Sequence, residues 1–199
     1  MSGTRCFVAI ELSDEIRARL AETRRVLVAG APAWRGEKWV AAENLHITLK
    51  FLGNLEEYQI AEVGEAIAQA VVGAGPFSLT LAGLRAVPNA RRCGMVWARF
   101  TGDEPACRDL AARIDAAAIA CGIEPESRPF KPHVTLVRAR RPRHLSDEAL
   151  SSADTVATDP RLSMSVLSAT LVASTLTRTG PVYEAIDSWS LPTPDQRAT

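Results

Sequence analysis

Apolar and polar residues alternate along several short stretches of the chain. Successive side chains of a strand point to opposite faces, so this alternation predicts half-buried β-strands. The clearest predicted strands cover residues 5–12, 77–84 and 95–100. Other stretches carry apolar residues at three- and four-residue spacing, which predicts helices with one buried face. The predicted helices cover residues 14–27, 56–72 and 104–121.

The last third of the chain predicts mainly strands, after a short helix over 146–151. Apolar residues alternate with serines up to Val166, and the alternation then shifts by one residue at Leu167. Because such a shift exchanges the two faces of a strand, we expect a bulge or bend there. A final strand is predicted over 182–186, and residues 192–199 are expected to form a flexible tail.

The tetrapeptide His-x-Thr-Leu occurs twice, at 46–49 and 87 residues later at 133–136. In a strand, the His and Thr of each copy share one face while the apolar residues take the other. Similar intervals precede the two copies, 39 residues from Phe7 to His46 and 37 from Val96 to His133. Both intervals predict strand, helix, loop and motif strand in that order. The pattern indicates a two-fold duplication that contributes one imidazole from each half.

Composition limits the classes of function. The 199 residues suffice for one large domain or two joined lobes, and the formal charge of zero gives no overall basic field for long nucleic acid. The N-terminus shows no signal peptide, and no apolar run reaches the roughly 20 residues that span a bilayer. The four cysteines are scattered, which is typical of reduced thiols. We therefore expect a cytoplasmic protein without a membrane partner.

Two imidazoles in one cleft can act as a general acid and a general base near neutral pH. The hydroxyls of Thr48 and Thr135 can donate hydrogen bonds to a bound oxyanion. This combination suits in-line displacement at phosphorus, in which one imidazole activates the nucleophile and the other protonates the leaving oxygen. The alternative of two unrelated core histidines is disfavoured by the duplicated tetrapeptide. Residues alone do not decide which of His46 and His133 is the acid.

A zinc site is a competing interpretation. Zinc needs three or four nitrogen, sulfur or oxygen ligands, but His144 is the only other imidazole, and it lies in an Arg-rich segment. The sequence also lacks the glycine-rich loops that bind ATP or dinucleotides. We therefore expect neither a metal nor a cofactor.

The positions of other candidate side chains are less well defined by the pattern. Strict alternation would place Arg138 on the face opposite His133, so it reaches a phosphate only if the strand twists or ends there. Trp97 is predicted to lie in the core, whereas Phe7 and Phe130 are candidates for stacking beside the cleft.

The sequence resembles the two-histidine phosphoesterases, in particular the RNA 2′,3′-cyclic phosphodiesterases that are also described as 2′-5′ RNA ligases. The resemblance rests on the segments 5–12, 39–53, 128–138 and 180–184, and it covers residues 4–191. Lys131 stands where this family often has Arg.

The resemblance implies an α+β fold with two pseudo-symmetric lobes, each an antiparallel sheet with helices outside, facing across a central cleft. It implies a single bilobal domain over 1–191 that opens 2′,3′-cyclic phosphates of RNA ends or nucleotides to 2′-phosphates without metal. The implied proton donor is His46 and the implied proton acceptor is His133. Thr48, Thr135 and Arg138 would bind the phosphate, and a monomer is expected.

Three alternatives remain open at this stage. Some relatives of this superfamily bind nucleotides without turnover, so a non-catalytic binding module is one of them. The others are a 2′-5′ RNA ligase and a cyclic phosphodiesterase that acts on a small metabolite.

Overall fold

The computed structural model describes residues 3–178 and 180–192, and it has the predicted α+β class with two antiparallel sheets. The strands within this range are β1 Thr4–Glu11, β2 Lys38–Trp39, β3 His46–Leu55, β4 Phe77–Val87, β5 Cys93–Gly102, β6 His133–Arg143, β7 Thr158–Val166, β8 Ser168–Thr177 and β9 Gly180–Ser190. The α-helices are α1 Asp14–Gly30, α2 Glu57–Val72, α3 Glu104–Ala120 and α4 Asp147–Ala157.

The two sheets repeat the same strand arrangement. One sheet has the order β3-β1-β8-β9, and the other has the order β2-β6-β5-β4-β7. Each motif strand pairs with the strand that opens its own half of the chain, β3 with β1 and β6 with β5. The second sheet differs only in the added edge strand β2, which pairs with β6. The pseudo-symmetry expected from the duplicated motif is therefore a property of both sheets.

The helices are exchanged between the two halves. Helix α1 follows β1 of the four-stranded sheet, yet it packs with α4 against β7 of the five-stranded sheet. Helix α3 follows β5 of the five-stranded sheet, yet it packs with α2 and contacts β3 of the other sheet. Buried apolar residues of both sheets and of all four of these helices form one continuous core. Each sheet thus buries its apolar face against a helix that the other half of the sequence supplies.

The helix boundaries follow local capping chemistry. The Ser13 hydroxyl accepts a hydrogen bond from the amide of Ile16, and Ser146 caps α4 in the same way. Helix α4 extends to Ala157, beyond the predicted 146–151, because its buried positions are alanines that give little hydrophobic contrast. No helix in the described part of the chain is long and apolar enough to cross a bilayer.

The shift of alternation at Leu167 is neither a bulge nor a simple bend. Strand β7 ends at Val166 in the five-stranded sheet, and β8 begins at Ser168 in the four-stranded sheet. The chain crosses between the sheets here, and the two strands bury their apolar sides in different parts of the core. The predicted tail over 192–199 lies outside the described residues except for Pro192.

Gly53 lies within the first motif strand. Strand β3 continues to Leu55, and its pairing with β1 is irregular between Cys6 and Phe7. Gly53 lies in this irregular region with a φ of 80°, a conformation that glycine adopts without steric cost.

Lys50 is a buried charge that joins the two halves. Its side chain is 1% exposed, and its Nζ lies 2.6 Å from Asp115 Oδ1 of α3. Nζ also donates to the carbonyl oxygen of Glu124, in the segment that leads towards His133. A buried cation without partners would be very unfavourable, so these contacts hold β3 against α3 and that segment.

We expect Lys50→Met to lower the free energy of unfolding by about 2 kcal/mol, because the variant leaves the Asp115 carboxylate without its cationic partner. The partial exposure of the Asp115 side chain, 24%, limits the loss. Adding Asp115→Asn to this variant should cost little more, whereas Asp115→Asn alone should be strongly destabilising. Urea denaturation of the four proteins measures this coupling.

The matched control is Arg113→Gln, since Arg113 pairs on the same helix with Asp109 at the surface. This exposed pair should contribute less than about 0.5 kcal/mol. Equal losses for Lys50→Met and Arg113→Gln would contradict the assignment of Lys50 as a tie between the halves.

Candidate active site

Each motif strand contains a β-bulge directly after its threonine. The pairing of β3 with β1 skips Leu49, and the pairing of β6 with β5 skips Leu136. A bulge adds one residue to one strand and therefore shifts the alternation of faces by one position. As a result the third residue after each threonine, Phe51 in β3 and Arg138 in β6, returns to the face that carries the histidine.

Strict alternation is therefore the wrong guide for Arg138. The bulge at Leu136 brings its side chain to the same face as Thr135, and Arg138 lines the cavity between the sheets. Its Nη1 lies 2.7 Å from Met95 Sδ on the neighbouring strand. Its guanidinium remains exposed at the cavity rim.

The cavity between the sheets has a volume of about 600 Å³, and both motifs line it. His46 and Thr48 come from the four-stranded sheet, and His133 and Thr135 come from the five-stranded sheet. Three cations also line the cavity, and among its described lining residues there is no Asp or Glu. These cations are Arg5, Lys38 and Arg138. A cavity lined by cations and hydroxyls without a carboxylate favours an anion.

The two imidazoles are held in the same way. Nδ1 of His46 donates to the carbonyl oxygen of Asn44 at 2.7 Å, and Nδ1 of His133 donates to that of Lys131, also at 2.7 Å. Because a carbonyl oxygen only accepts, each Nδ1 carries a proton and each Nε2 is the atom that gains or loses one. Nε2 of His46 lies 3.0 Å from the hydroxyl oxygen of Thr48.

An aromatic ring from the adjacent strand packs on each imidazole. Phe7 stacks on His46 with ring centroids 4.7 Å apart, and Trp97 stacks on His133 at 3.9 Å. Phe7 was expected beside the cleft, whereas Trp97 was expected in the core and is instead a half-buried neighbour of the motif. The rings restrict rotation of the imidazoles. Phe130 packs against the core and does not line the cavity.

Burial lowers the pKa of His46 and of His133 below the ordinary value of 6.5. In each case the hydrogen bond to the backbone carbonyl opposes this effect. The positive charges of Arg17 and His133 lower the pKa of His46 further, and that of Arg138 lowers the pKa of His133. Burial therefore favours the neutral form of both imidazoles at pH 7.

Several cavity residues were not found from the sequence. Tyr183 of β9 packs edge-on against His46, with ring centroids 5.4 Å apart, and burial raises the pKa of its hydroxyl. Arg5, Lys38 and Phe51 reach the cavity from β1, β2 and β3. Only the match of segment 180–184 to the resembled family gave any signal for Tyr183.

In the described part of the chain, no group of three or more His, Cys, Asp or Glu side chains could hold a metal ion. His144, the third imidazole of the chain, lies exposed after the end of β6.

Comparison with known proteins identifies the family. The model of the 2′-5′ RNA ligase superfamily matches residues 12–176. The chain is 35% identical to the RNA 2′,3′-cyclic phosphodiesterase of Aeropyrum pernix over 75% of this chain and 83% of that protein. The corresponding enzyme of Methanothermobacter thermautotrophicus is 29% identical, over 94% of this chain and 98% of that one. The crystal structure of E. coli LigT complexed with 3′-AMP superposes with a TM-score of 0.72 at 26% identity, covering 97% of this chain and 100% of LigT. The chain belongs to the 2′-5′ RNA ligase superfamily.

Proposed function

We propose that this protein hydrolyses the 2′,3′-cyclic phosphate at RNA ends to a 2′-phosphate by paired-histidine acid–base catalysis. The observation that carries the proposal is the pair of Nδ1-anchored imidazoles that line one cavity, whose described lining contains no carboxylate. Similarity to enzymes named RNA 2′,3′-cyclic phosphodiesterase supports the substrate class. All the groups required come from one chain, so the proposal needs neither a second copy nor a metal.

The reaction uses the two Nε2 atoms. Nε2 of neutral His133 removes a proton from water as the water oxygen attacks phosphorus. The bond between phosphorus and the 3′ oxygen breaks, and Nε2 of protonated His46 donates its proton to that oxygen. Proton exchange with solvent then restores both imidazoles. The assignment of donor and acceptor comes from the family resemblance, because carbonyl oxygens anchor both rings equivalently.

The hydroxyls and the cation act on the charge of the phosphate. Thr48 and Thr135 donate hydrogen bonds to the two non-bridging oxygens, where negative charge builds up in the transition state. Arg138 compensates that charge from the rim of the cavity. The LigT complex with 3′-AMP supports a nucleotide ligand for this fold.

An oligoribonucleotide that ends in a 2′,3′-cyclic phosphate should be converted to a product heavier by one water, with the phosphate on the 2′ oxygen. Mass spectrometry and phosphorus NMR identify this product. The conversion should persist after prolonged dialysis against EDTA, since no step uses a metal.

Other outcomes of this assay distinguish the alternatives. A 2′-5′-linked product in the presence of a 5′-hydroxyl oligonucleotide would indicate a ligase. Binding without turnover would indicate a non-catalytic module. Activity that is lost with EDTA and restored by Zn²⁺ would contradict the metal-free mechanism.

His46→Ala and His133→Ala should each reduce kcat/KM by about 100-fold or more, because each removes a positioned acid or base. The double variant should be only slightly worse than either single variant, since the two groups act in one step. Thr48→Val and Thr135→Val should cost less. Near-wild-type turnover of either histidine variant would exclude the mechanism.

The same variants test which histidine is the donor. An aryl phosphodiester has a leaving group that needs no proton, so it should partly rescue His46→Ala and not His133→Ala. Rescue of His133→Ala alone would reverse the assignment.

The plot of kcat/KM against pH should be bell-shaped with its centre below pH 6.5. A base must be neutral and an acid protonated in the same free enzyme, and burial lowers both pKa values from 6.5. NMR titration of the two imidazoles in the presence and absence of inorganic phosphate provides the independent measurement. Phosphate should raise both pKa values. A profile of kcat/KM centred clearly above pH 7 would contradict the lowering of both imidazole pKa values by burial.

A further inference from the structure

Positive charge is concentrated on one of the two sheets, although the formal charge of the chain is zero. Strands β2, β4, β5 and β6 contain no acidic residue. Their cations are Lys38, Arg85, Arg99, Arg138, Arg140, Arg141 and Arg143. By contrast, the strands of the four-stranded sheet contain both signs, including the acidic residues Glu11, Glu184 and Asp187. Strand β7 of the same sheet adds one residue of each sign, Asp159 and Arg161. The five-stranded sheet is therefore the more basic of the two sheets.

Besides Arg138, the arginines Arg99 and Arg85 lie on the face that carries the second motif. The strand register pairs Arg99 of β5 with His133, and it pairs Arg85 of β4 with Trp97. Paired residues of neighbouring strands share a face, and neighbouring strands lie about 4.8 Å apart. Arg99 is therefore one strand away from the histidine strand, and Arg85 is two strands away. The open face that they occupy continues directly from the cavity.

The arginines of this sheet fall into two groups according to their ion pairs and hydrogen bonds. Arg143 forms an ion pair with Glu37, and Arg140 donates to the carbonyl oxygen of Gly36, so both hold the segment before β2. Arg85 and Arg99 are exposed, and among the described residues neither forms an ion pair. Within the described part of the chain, Arg99 donates to the carbonyl oxygen of Ala82 across the same face.

Several further exposed positions of this face are small or hydroxylic, and the exposed Arg161 of β7 forms an ion pair with Asp159. Ser78 pairs with Ser165 and Thr80 pairs with Thr101, and these side chains are exposed or half-buried. No aromatic ring extends from Trp97 along these positions of the described strands. Bases in single strands are commonly bound by stacking on aromatic rings, whereas phosphates and sugars are bound by arginines and hydroxyls.

We propose that the open face of the five-stranded sheet binds the RNA strand that precedes the cyclic-phosphate end, with Arg99 and Arg85 contacting its backbone phosphates. This inference rests on the proposed function and specifies its substrate as the end of a single-stranded RNA rather than a 2′,3′-cyclic mononucleotide. The contacts are to phosphate and sugar, so the preference is independent of base sequence.

The test compares 2′,3′-cyclic AMP with a hexaribonucleotide that ends in a 2′,3′-cyclic phosphate. In the double variant Arg85→Gln/Arg99→Gln, kcat/KM for the hexamer should fall by about tenfold, while that for the mononucleotide should stay within about twofold of wild type. Anisotropy of a labelled hexamer measures binding separately. The slope of log affinity against log salt should decrease by about 1.4, since each lost phosphate contact on a single strand removes about 0.7.

Two control variants distinguish an effect of the position of Arg85 and Arg99 from an effect of net charge. Arg108→Gln/Arg113→Gln removes the same charge from α3, which packs on the other sheet, and it should leave the preference for the hexamer intact. Arg85→Lys/Arg99→Lys retains both charges and should retain the salt slope. Arg85→Gln alone should give an intermediate loss even if substitution of Arg99 disturbs the fold.

The inference is overturned if wild type hydrolyses both substrates and the Gln variant shows the same ratio between them. It is also overturned if the α3 control loses the preference equally, because the effect would then be one of net charge alone. Failure of the proposed function looks different, since neither substrate would be hydrolysed by wild type. In that case the salt slope of hexamer binding still decides whether Arg85 and Arg99 contact RNA.

Discussion

One extra residue in each motif strand determines the geometry of the cavity. Without the bulges at Leu49 and Leu136, strict alternation would bury Phe51 and Arg138 and would turn Lys50 towards the cavity. With them, each strand buries two consecutive side chains and returns the next to the cavity. The bulged strand thereby presents three side chains to the cavity from a short piece of backbone, and the duplication supplies a second such set from the facing sheet. The cavity is built from two copies of one local irregularity.

This geometry is useful only if the facing sheets keep their separation, and the exchange of helices provides that constraint. Each sheet is covered by a helix from the other half of the sequence, so neither half has a complete core of its own. Lys50 adds a polar contact at the same junction, because it lies next to the first bulge and reaches α3 and the segment before His133. The corresponding residue of the second motif is the buried apolar Val137. The repeats are therefore equivalent at the imidazoles and different at the contact that joins them.

Local patterns in the sequence were sufficient for most elements and for both motifs, and they were insufficient wherever a side chain depends on a partner strand. The alternation of β1 and β4 and the serine cap of α1 are local signals, and they predicted real elements. The position of Arg138 depends on a bulge that only the pairing with β5 defines. Trp97 has the pattern of a core residue, but its register places it on the imidazole of His133. Tyr183 comes from a strand far along the chain, and the shift at Leu167 marks a change of sheet that alternation alone cannot distinguish from a bulge.

The electrostatics of the cavity connect the fold to the chemistry. Burial and nearby cations lower the pKa values of both imidazoles below 6.5, so the folded state binds protons there less tightly than the unfolded chain does. These two imidazoles therefore contribute stability above the ordinary histidine pKa of 6.5, and that contribution is lost as the pH falls through their lower pKa values in the folded state.

A bound phosphate reverses the effect on the pKa values, because an anion between the rings favours the imidazolium form of both. In the proposed mechanism, the substrate itself thus stabilises the protonated imidazole that the leaving oxygen requires. A carboxylate in the cavity would hold a proton on the histidines without substrate and would repel the phosphate, and the described lining contains none.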